Sequence, residues 1–173
     1  MKFLKNFKVN LNKKIFQNTI NFVDNYIIKN PCCDKFPYCN HPKYQTNADL
    51  LKNDNKYLKT IKKSFYDCLK KQFKKKYIII YEKCWCFVTS SIDKELWHNH
   101  NLNSNILEIS GILYLNKSNL GTLFKKNNLI IRNKPKESTW CIWPSHIFHT
   151  PEVGILKNKR YVLAISIGLK FND

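Results

Sequence analysis

Arg160-Tyr161-Val162-Leu163-Ala164-Ile165-Ser166-Ile167-Gly168-Leu169 is an apolar run opened by a guanidinium. Its β-branched and aromatic content reads as a strand. Of the 30 basic residues only Arg132 and Arg160 are arginine; the others are lysine. Working upstream, His149 stands eleven positions before Arg160, in Trp143-Pro144-Ser145-His146-Ile147-Phe148-His149-Thr150-Pro151. Earlier still, Trp97-His98-Asn99-His100 carries an H-x-H pair. Residues i and i+2 of a strand share a face, so such a pair can aim two imidazoles at one point. A third histidine from another strand would complete a three-ligand metal site with open positions. An arginine one strand further on suits the carboxylate of a co-substrate.

The surrounding segments support a mainly β fold. Tyr77 to Tyr81, Cys84 to Thr89, Ile106 to Leu115, Leu129 to Arg132, Thr139 to Trp143 and Tyr161 to Leu169 read as short strands separated by polar turns. That spacing predicts a β-sandwich or barrel beginning near residue 77. From about Asp54 to Lys76, Leu58, Ile61, Phe65, Leu69 and Phe73 recur at helical spacing with lysines on the other face. The expectation there is a helix backing the sheet. Residues 12–29 fit either a strand or a short helix, and 30–46, with three prolines, reads as a loop. The 173 residues are expected to form one α+β domain, with 1–76 as an N-terminal elaboration and 77–173 as the β core.

Composition narrows the function classes. Apolar residues make up 43% and aromatics 14%, which argues against disorder. No stretch approaches the length of a membrane span. Lysine breaks the apolar residues of Met-Lys-Phe-Leu-Lys-Asn-Phe-Lys, so that segment lacks the core of a secretion signal and the expectation is cytoplasmic. The net charge of +18 invites a nucleic-acid partner. Heavy use of Lys, Asn and Ile fits an AT-rich coding bias, which spreads charge over the surface. The densest lysine runs are Lys62-Lys63, Lys70-Lys71 and Lys74-Lys75-Lys76. Seven cysteines, an odd number, are expected to be free thiols. Cys32, Cys33, Cys39 and His41 form a poor match to a zinc site, because adjacent ligands replace two spaced pairs. His146, at an odd offset from His149, is expected not to bind metal. Trp97, Trp140 and Trp143 could line a substrate pocket, though core packing is the expectation, and Cys141 is expected to pack in the core.

From about residue 84 to 169 the chain resembles the iron(II)- and 2-oxoglutarate-dependent oxygenases, in their short, prolyl-hydroxylase-like bacterial and viral branch. Trp97-His98-Asn99-His100 is similar to the first ligand motif. Ile109-Ser110-Gly111-Ile112-Leu113-Tyr114-Leu115-Asn116 is similar to the "SGvyYL" strand, and Gly121-Thr122-Leu123-Phe124 to the G-T-x-F turn and strand. Trp143-Pro144-Ser145 and then His149-Thr150-Pro151 resemble the segment with the distal ligand. The strand from Arg160 to Ile167 resembles the one that starts with the co-substrate arginine.

The resemblance implies a double-stranded β-helix, the jelly-roll or cupin-like core. It implies Fe(II), 2-oxoglutarate and dioxygen as metal and co-substrates, with decarboxylation to succinate and hydroxylation of a C–H bond. His98 and His149 are the expected iron ligands, and Arg160, with Tyr114 and Thr122, the expected 2-oxoglutarate contacts. The sequence departs from the family's H-x-D or H-x-E pattern at His100. Three readings follow: His100 binds iron, it faces substrate beside a water, or Asp93 or Glu108 supplies a carboxylate. Two other functions compete: a cupin-like three-histidine metal protein such as a thiol dioxygenase, and a basic nucleic-acid-binding module. The substrate, whether protein side chain, small molecule or nucleic acid, is not legible; its selection is expected in residues 1–50 and 116–138.

Overall fold

The computed structural model describes residues 4–30, 45–100 and 106–171. Two antiparallel sheets face each other. The larger contains β1 (Lys5–Lys8), β2 (Tyr77–Ile92), β3 (Leu107–Tyr114), β6 (Thr139–Pro144) and β8 (Gly154–Phe171), in the order β1-β6-β3-β8-β2. The smaller contains β4 (Thr122–Lys126), β5 (Leu129–Asn133) and β7 (His149–Pro151), in the order β5-β4-β7.

Helix α1 (Lys13–Lys29) and helix α2 (Lys56–Gln72) lie on the outer face of the larger sheet. Each starts at an asparagine whose side chain accepts a backbone N–H: Asn12 from Ile15, and Asn55 from Tyr57 and Leu58. The apolar stripe of α2, led by Leu58, Ile61 and Phe65, packs on Leu113, Trp140 and Ile165 of the sheet. Trp140 stacks obliquely on Phe65 at 4.9 Å and donates its Nε1–H to Ser64 Oγ at 3.0 Å. In α1, Asp24 accepts a hydrogen bond from the Tyr161 hydroxyl at 2.8 Å, docking the helix on β8. Some lysines of α2 have local partners, since Lys62 reaches Glu82 at 2.6 Å and Lys59 pairs with Asp54. No described helix is long and apolar enough to cross a membrane.

The pleat sorts the large sheet into two faces. Cys84, Cys86 and Val88 of β2 are buried among the helices. Lys83, Trp85 and Phe87 point the other way, into the space between the sheets. On β8, Arg160, Val162, Ala164 and Ser166 share that inner face, opposite Thr89, Phe87, Trp85 and Lys83 in the strand register. Ser110 and Ile112 of β3 continue the row. The edge of β2 is covered by residues 45–49, where the N–H of Thr46 donates to Cys86 O at 3.0 Å and the N–H of Cys84 donates to Ala48 O at 2.8 Å. Gly111 lets α2 approach: a Cβ there would lie 2.6 Å from Phe65 Cε2.

Several expectations shift. Residues 12–29 form a helix. The two strands expected in 77–89 are one long strand, β2, and the last strand begins at Gly154, before Arg160. β2 continues through the half-buried Glu82 and Lys83 because they stay paired with Ile167 and Ser166, and β8 starts earlier because Gly154 and Ile155 pair with Ile92 and Ser91. The H-x-H pair does not sit in a strand of the sheets. After Ile92 the polar Asp93-Lys94-Glu95 ends β2, and His98 makes only an isolated bridge to His149. Residues 31–44, with Cys32, Cys33, Cys39 and His41, lie outside the described residues.

Candidate active site

Backbone hydrogen bonds stitch the segment 96–100 onto 145–150. The N–H of His98 donates to His149 O at 3.1 Å, and the N–H of His149 donates back to His98 O at 2.9 Å. On either side, the N–H of Leu96 donates to Thr150 Oγ1 at 2.9 Å and the N–H of His100 donates to Ser145 O at 2.9 Å. This register turns all three histidine rings into the same space, with centroids 4.4, 4.9 and 5.0 Å apart. One potential ligand atom from each of His98, His100 and His149 lies within 4.8 Å of the others.

The hydrogen bonds fix which nitrogens face the centre. His98 Nδ1 lies 2.8 Å from Leu96 O, and His149 Nδ1 lies 3.1 Å from Ile147 O. A carbonyl only accepts, so each Nδ1 carries the proton and each Nε2 keeps its lone pair. His100 Nε2, 3.2 Å from His149 Nε2, is then the donor of that pair. Burial lowers the pKa of His98. Burial also takes His100 down to about 3, with His98 and Lys83 adding to the effect. His149 falls well below the usual range through burial and the two other imidazoles. At neutral pH the cluster is three neutral imidazoles, the form that binds metals.

A cavity of about 450 Å³ extends from this cluster between the sheets. Arg160 lies in it and is only 2% exposed. Its Nη1 donates to Gly121 O at 3.4 Å, and its Nε has no hydrogen-bond partner among the described residues. The carboxylate near it, Glu152, is taken up by Arg132 at 2.8 Å and by the N–H of Gly121 at 2.7 Å. Burial pushes the pKa of Arg160 down, opposed by Tyr114 and Glu152. The guanidinium sits 5.3 Å from the centre of the Tyr114 ring, whose hydroxyl is 2.8 Å from Thr122 Oγ1. Trp143, on the wall beside His149, also has a buried Nε1–H without a partner. Arg160 and Trp143 both line the cavity, and each carries a buried donor without a hydrogen-bond partner among the described residues.

Asp93 and Glu108 do not join the imidazole cluster. Asp93 is exposed, and the buried Glu108 accepts a hydrogen bond from the Tyr81 hydroxyl at 2.7 Å. His146 is exposed in the turn after β6. Among the described cysteines, Cys68, Cys84, Cys86 and Cys141 are free and buried. Trp140 and Cys141 pack in the core, whereas Trp143 does so while also lining the cavity. The wall formed by Lys83, Trp85 and Phe87 is not among the residues expected at the site; their alternation with Cys84 and Cys86 marks it once β2 is taken as one strand rather than two.

No protein-family model matches this sequence, and no curated protein matches it. Solved structures do. Viral collagen prolyl hydroxylase vCPH of Paramecium bursaria Chlorella virus-1 superposes with a TM-score of 0.65 at 13% identity, over 96% of this chain and 90% of the other. HygX of Streptomyces hygroscopicus, solved with nickel and 2-oxoglutarate bound, gives 0.65 at 6% identity over 95% and 81%. A Trichoplax adhaerens prolyl hydroxylase, solved with a peptide fragment of hypoxia inducible factor, gives 0.60 at 14% over 95% and 83%. The chain therefore has the double-stranded β-helix fold of the prolyl hydroxylases and other 2-oxoglutarate-dependent oxygenases. At these identities the likeness is one of fold.

Proposed function

We propose that this protein is an iron(II)- and 2-oxoglutarate-dependent oxygenase. The observation that carries the reading is the buried guanidinium of Arg160, without an ion pair among the described residues, in the same cavity as three inward-facing imidazoles. An isolated buried charge costs several kcal/mol, roughly, unless an anion joins it. A dicarboxylate reaching from the imidazole cluster to Arg160 supplies that anion.

The donor set fits the metal. His98, His100 and His149 would hold ferrous iron as neutral nitrogen ligands, and the carbonyls of Leu96 and Ile147 orient two of the rings. To bind, His100 moves its proton from Nε2 to Nδ1. Iron held by these three residues would supply the oxygen activation, with a 2-oxo acid and dioxygen as co-substrates. The protein's own part is positional. Arg160 pairs with the distal carboxylate of 2-oxoglutarate, with Tyr114 and Thr122 as hydroxyl partners beside it. Phe124 and Trp143 pack around His149 and keep water from that side. In the overall reaction one atom of dioxygen ends in succinate and the other in the product hydroxyl, with loss of carbon dioxide.

Anaerobic titration tests this directly. Iron(II) and 2-oxoglutarate together should raise a weak visible charge-transfer band that neither raises alone. On admission of air, 2-oxoglutarate should be consumed and succinate formed. Absence of the band, with no binding of 2-oxoglutarate by calorimetry, would remove the reading.

A further inference from the structure

The end of the cavity remote from Arg160 holds a second cation. Lys83 lines it, half-buried, and its ammonium forms no hydrogen bond or ion pair with a described residue. Lys83 stands opposite Ser166 in the β2–β8 register, whereas Arg160 stands opposite Thr89. Six residues of β8 separate the two positions, roughly 20 Å of strand. Between them Trp85 and Phe87 form an aromatic wall, and the Trp85 ring lies 5.2 Å from that of His100. Beside Lys83, Ser110 and Ser166 line the cavity with hydroxyls 3.3 Å apart, and the Ser110 hydroxyl also lies 2.8 Å from Ser145 Oγ. Glu108, two positions before Ser110 on β3, accepts a hydrogen bond from the Tyr81 hydroxyl.

We infer that the primary substrate is an anion with an apolar or planar body: its carboxylate or phosphate group binds Lys83, and its body lies on Trp85 and Phe87 beside the imidazole cluster. The inference rests on the oxygenase reading, which assigns the Arg160 end to 2-oxoglutarate and leaves the Lys83 end to substrate. Three features favour an anion. The ammonium has no partner among the described residues and sits in a largely apolar wall, the hydroxyls of Ser110 and Ser166 lie on the same face, and the chain's net charge of +18 draws anions toward it. Trp85 and Phe87 supply a stacking surface for a flat or greasy body.

The test uses three ligands that share one ring system: naphthaleneacetate, naphthyl phosphate and the neutral naphthaleneacetamide. Each is titrated calorimetrically into the nickel-loaded protein saturated with 2-oxoglutarate, so that Arg160 is already occupied. At least one anion should bind about tenfold or more tighter than the amide, and the preferred head group tells carboxylate from phosphate. Lys83→Gln should erase that preference with amide binding within about twofold of the parent, and Lys83→Arg should retain it. The inference is overturned if no probe binds the parent protein, if the amide matches both anions, or if Lys83→Gln keeps the preference. Binding of 2-oxoglutarate itself, measured first on parent and variant, separates the two claims. Its failure in the parent sinks the oxygenase reading, whereas its success with indifferent probes sinks only the role of Lys83.

Discussion

His98 and His149 exchange both of their backbone hydrogen bonds, at 3.1 and 2.9 Å, across an isolated antiparallel bridge. Main-chain bonds therefore set the distance between these two imidazoles, so the pair is arranged before any ion arrives. His100 completes the cluster through its side chain. His100→Ala should leave the fold and the His98–His149 bridge intact. It should weaken nickel binding by more than about 100-fold, beyond what loss of a supporting hydrogen bond costs. His100→Asp, which restores a carboxylate at that position, should recover much of the affinity. Titration of nickel by calorimetry checks both; an unchanged affinity in His100→Ala would show that His100 does not ligate.

Arg160 carries opposite consequences for stability and for binding. Among the described residues its Nε is unmatched and its charge has no ion-pair partner, so Arg160→Met should raise stability toward urea by about 1–3 kcal/mol when no 2-oxoglutarate is added. The same change removes a charge-assisted contact and should weaken 2-oxoglutarate by roughly 10–100-fold, while nickel affinity stays within about twofold. A variant that lost stability and kept its 2-oxoglutarate affinity would show that Arg160 is a structural residue.

How far the sequence disclosed this arrangement depends on the range of the forces involved. The run after Arg160 and the stripe of α2 were legible because burial imposes a period on neighbouring residues. The His98–Asn99–His100 spacing was legible because alternation survives even outside a sheet. By contrast, Lys5–Lys8 became a strand only by pairing with Thr139–Ile142, a partner more than a hundred residues away. The cavity face of Lys83 was hidden for a related reason. Glu82-Lys83 looks like a polar interruption, yet it is spanned by continuous pairing with Ser166 and Ile167. The alternation of Lys83, Trp85 and Phe87 with Cys84 and Cys86 marks the inward face only once 77–92 is read as one strand.

Gly111 is where helix and sheet come closest, and the structure says what limits the approach. A methyl group there meets Phe65 Cε2 at 2.6 Å, and the Phe65 ring is itself fully buried against Trp140. Neither ring can swing away into solvent. Gly111→Ala should cost about 1–3 kcal/mol in urea unfolding, as overpacking does. Trimming the opposing ring should relieve it: Phe65→Leu combined with Gly111→Ala should be less destabilised than the sum of the single changes, by about 1 kcal/mol or more. Additive single changes would place the strain elsewhere.

The buried thiols give the alkaline behaviour a definite sign. Burial raises Cys68 to about 11, and Cys84, Cys86 and Cys141 rise as well, each chiefly through loss of solvent. An unfolded thiol titrates near about 8.5, so above that pH the unfolded chain has released protons that the folded protein keeps. The unfolded state then binds fewer protons, and stability falls as pH rises; the contribution is fully present below about 8.5. Each thiol adds up to about 1.4 kcal/mol per pH unit at full slope. Urea midpoints measured under reducing conditions between about pH 7 and 10 should decline above about 8.5. Cys86→Ala should make that decline shallower, though it lowers stability at pH 7 through the lost packing. At pH 8 the folded protein should leave these four thiols unreactive toward a disulfide reagent until urea is added. Rapid labelling of Cys84 or Cys86 without denaturant would mean that β2 opens toward the helices far more readily than its burial allows.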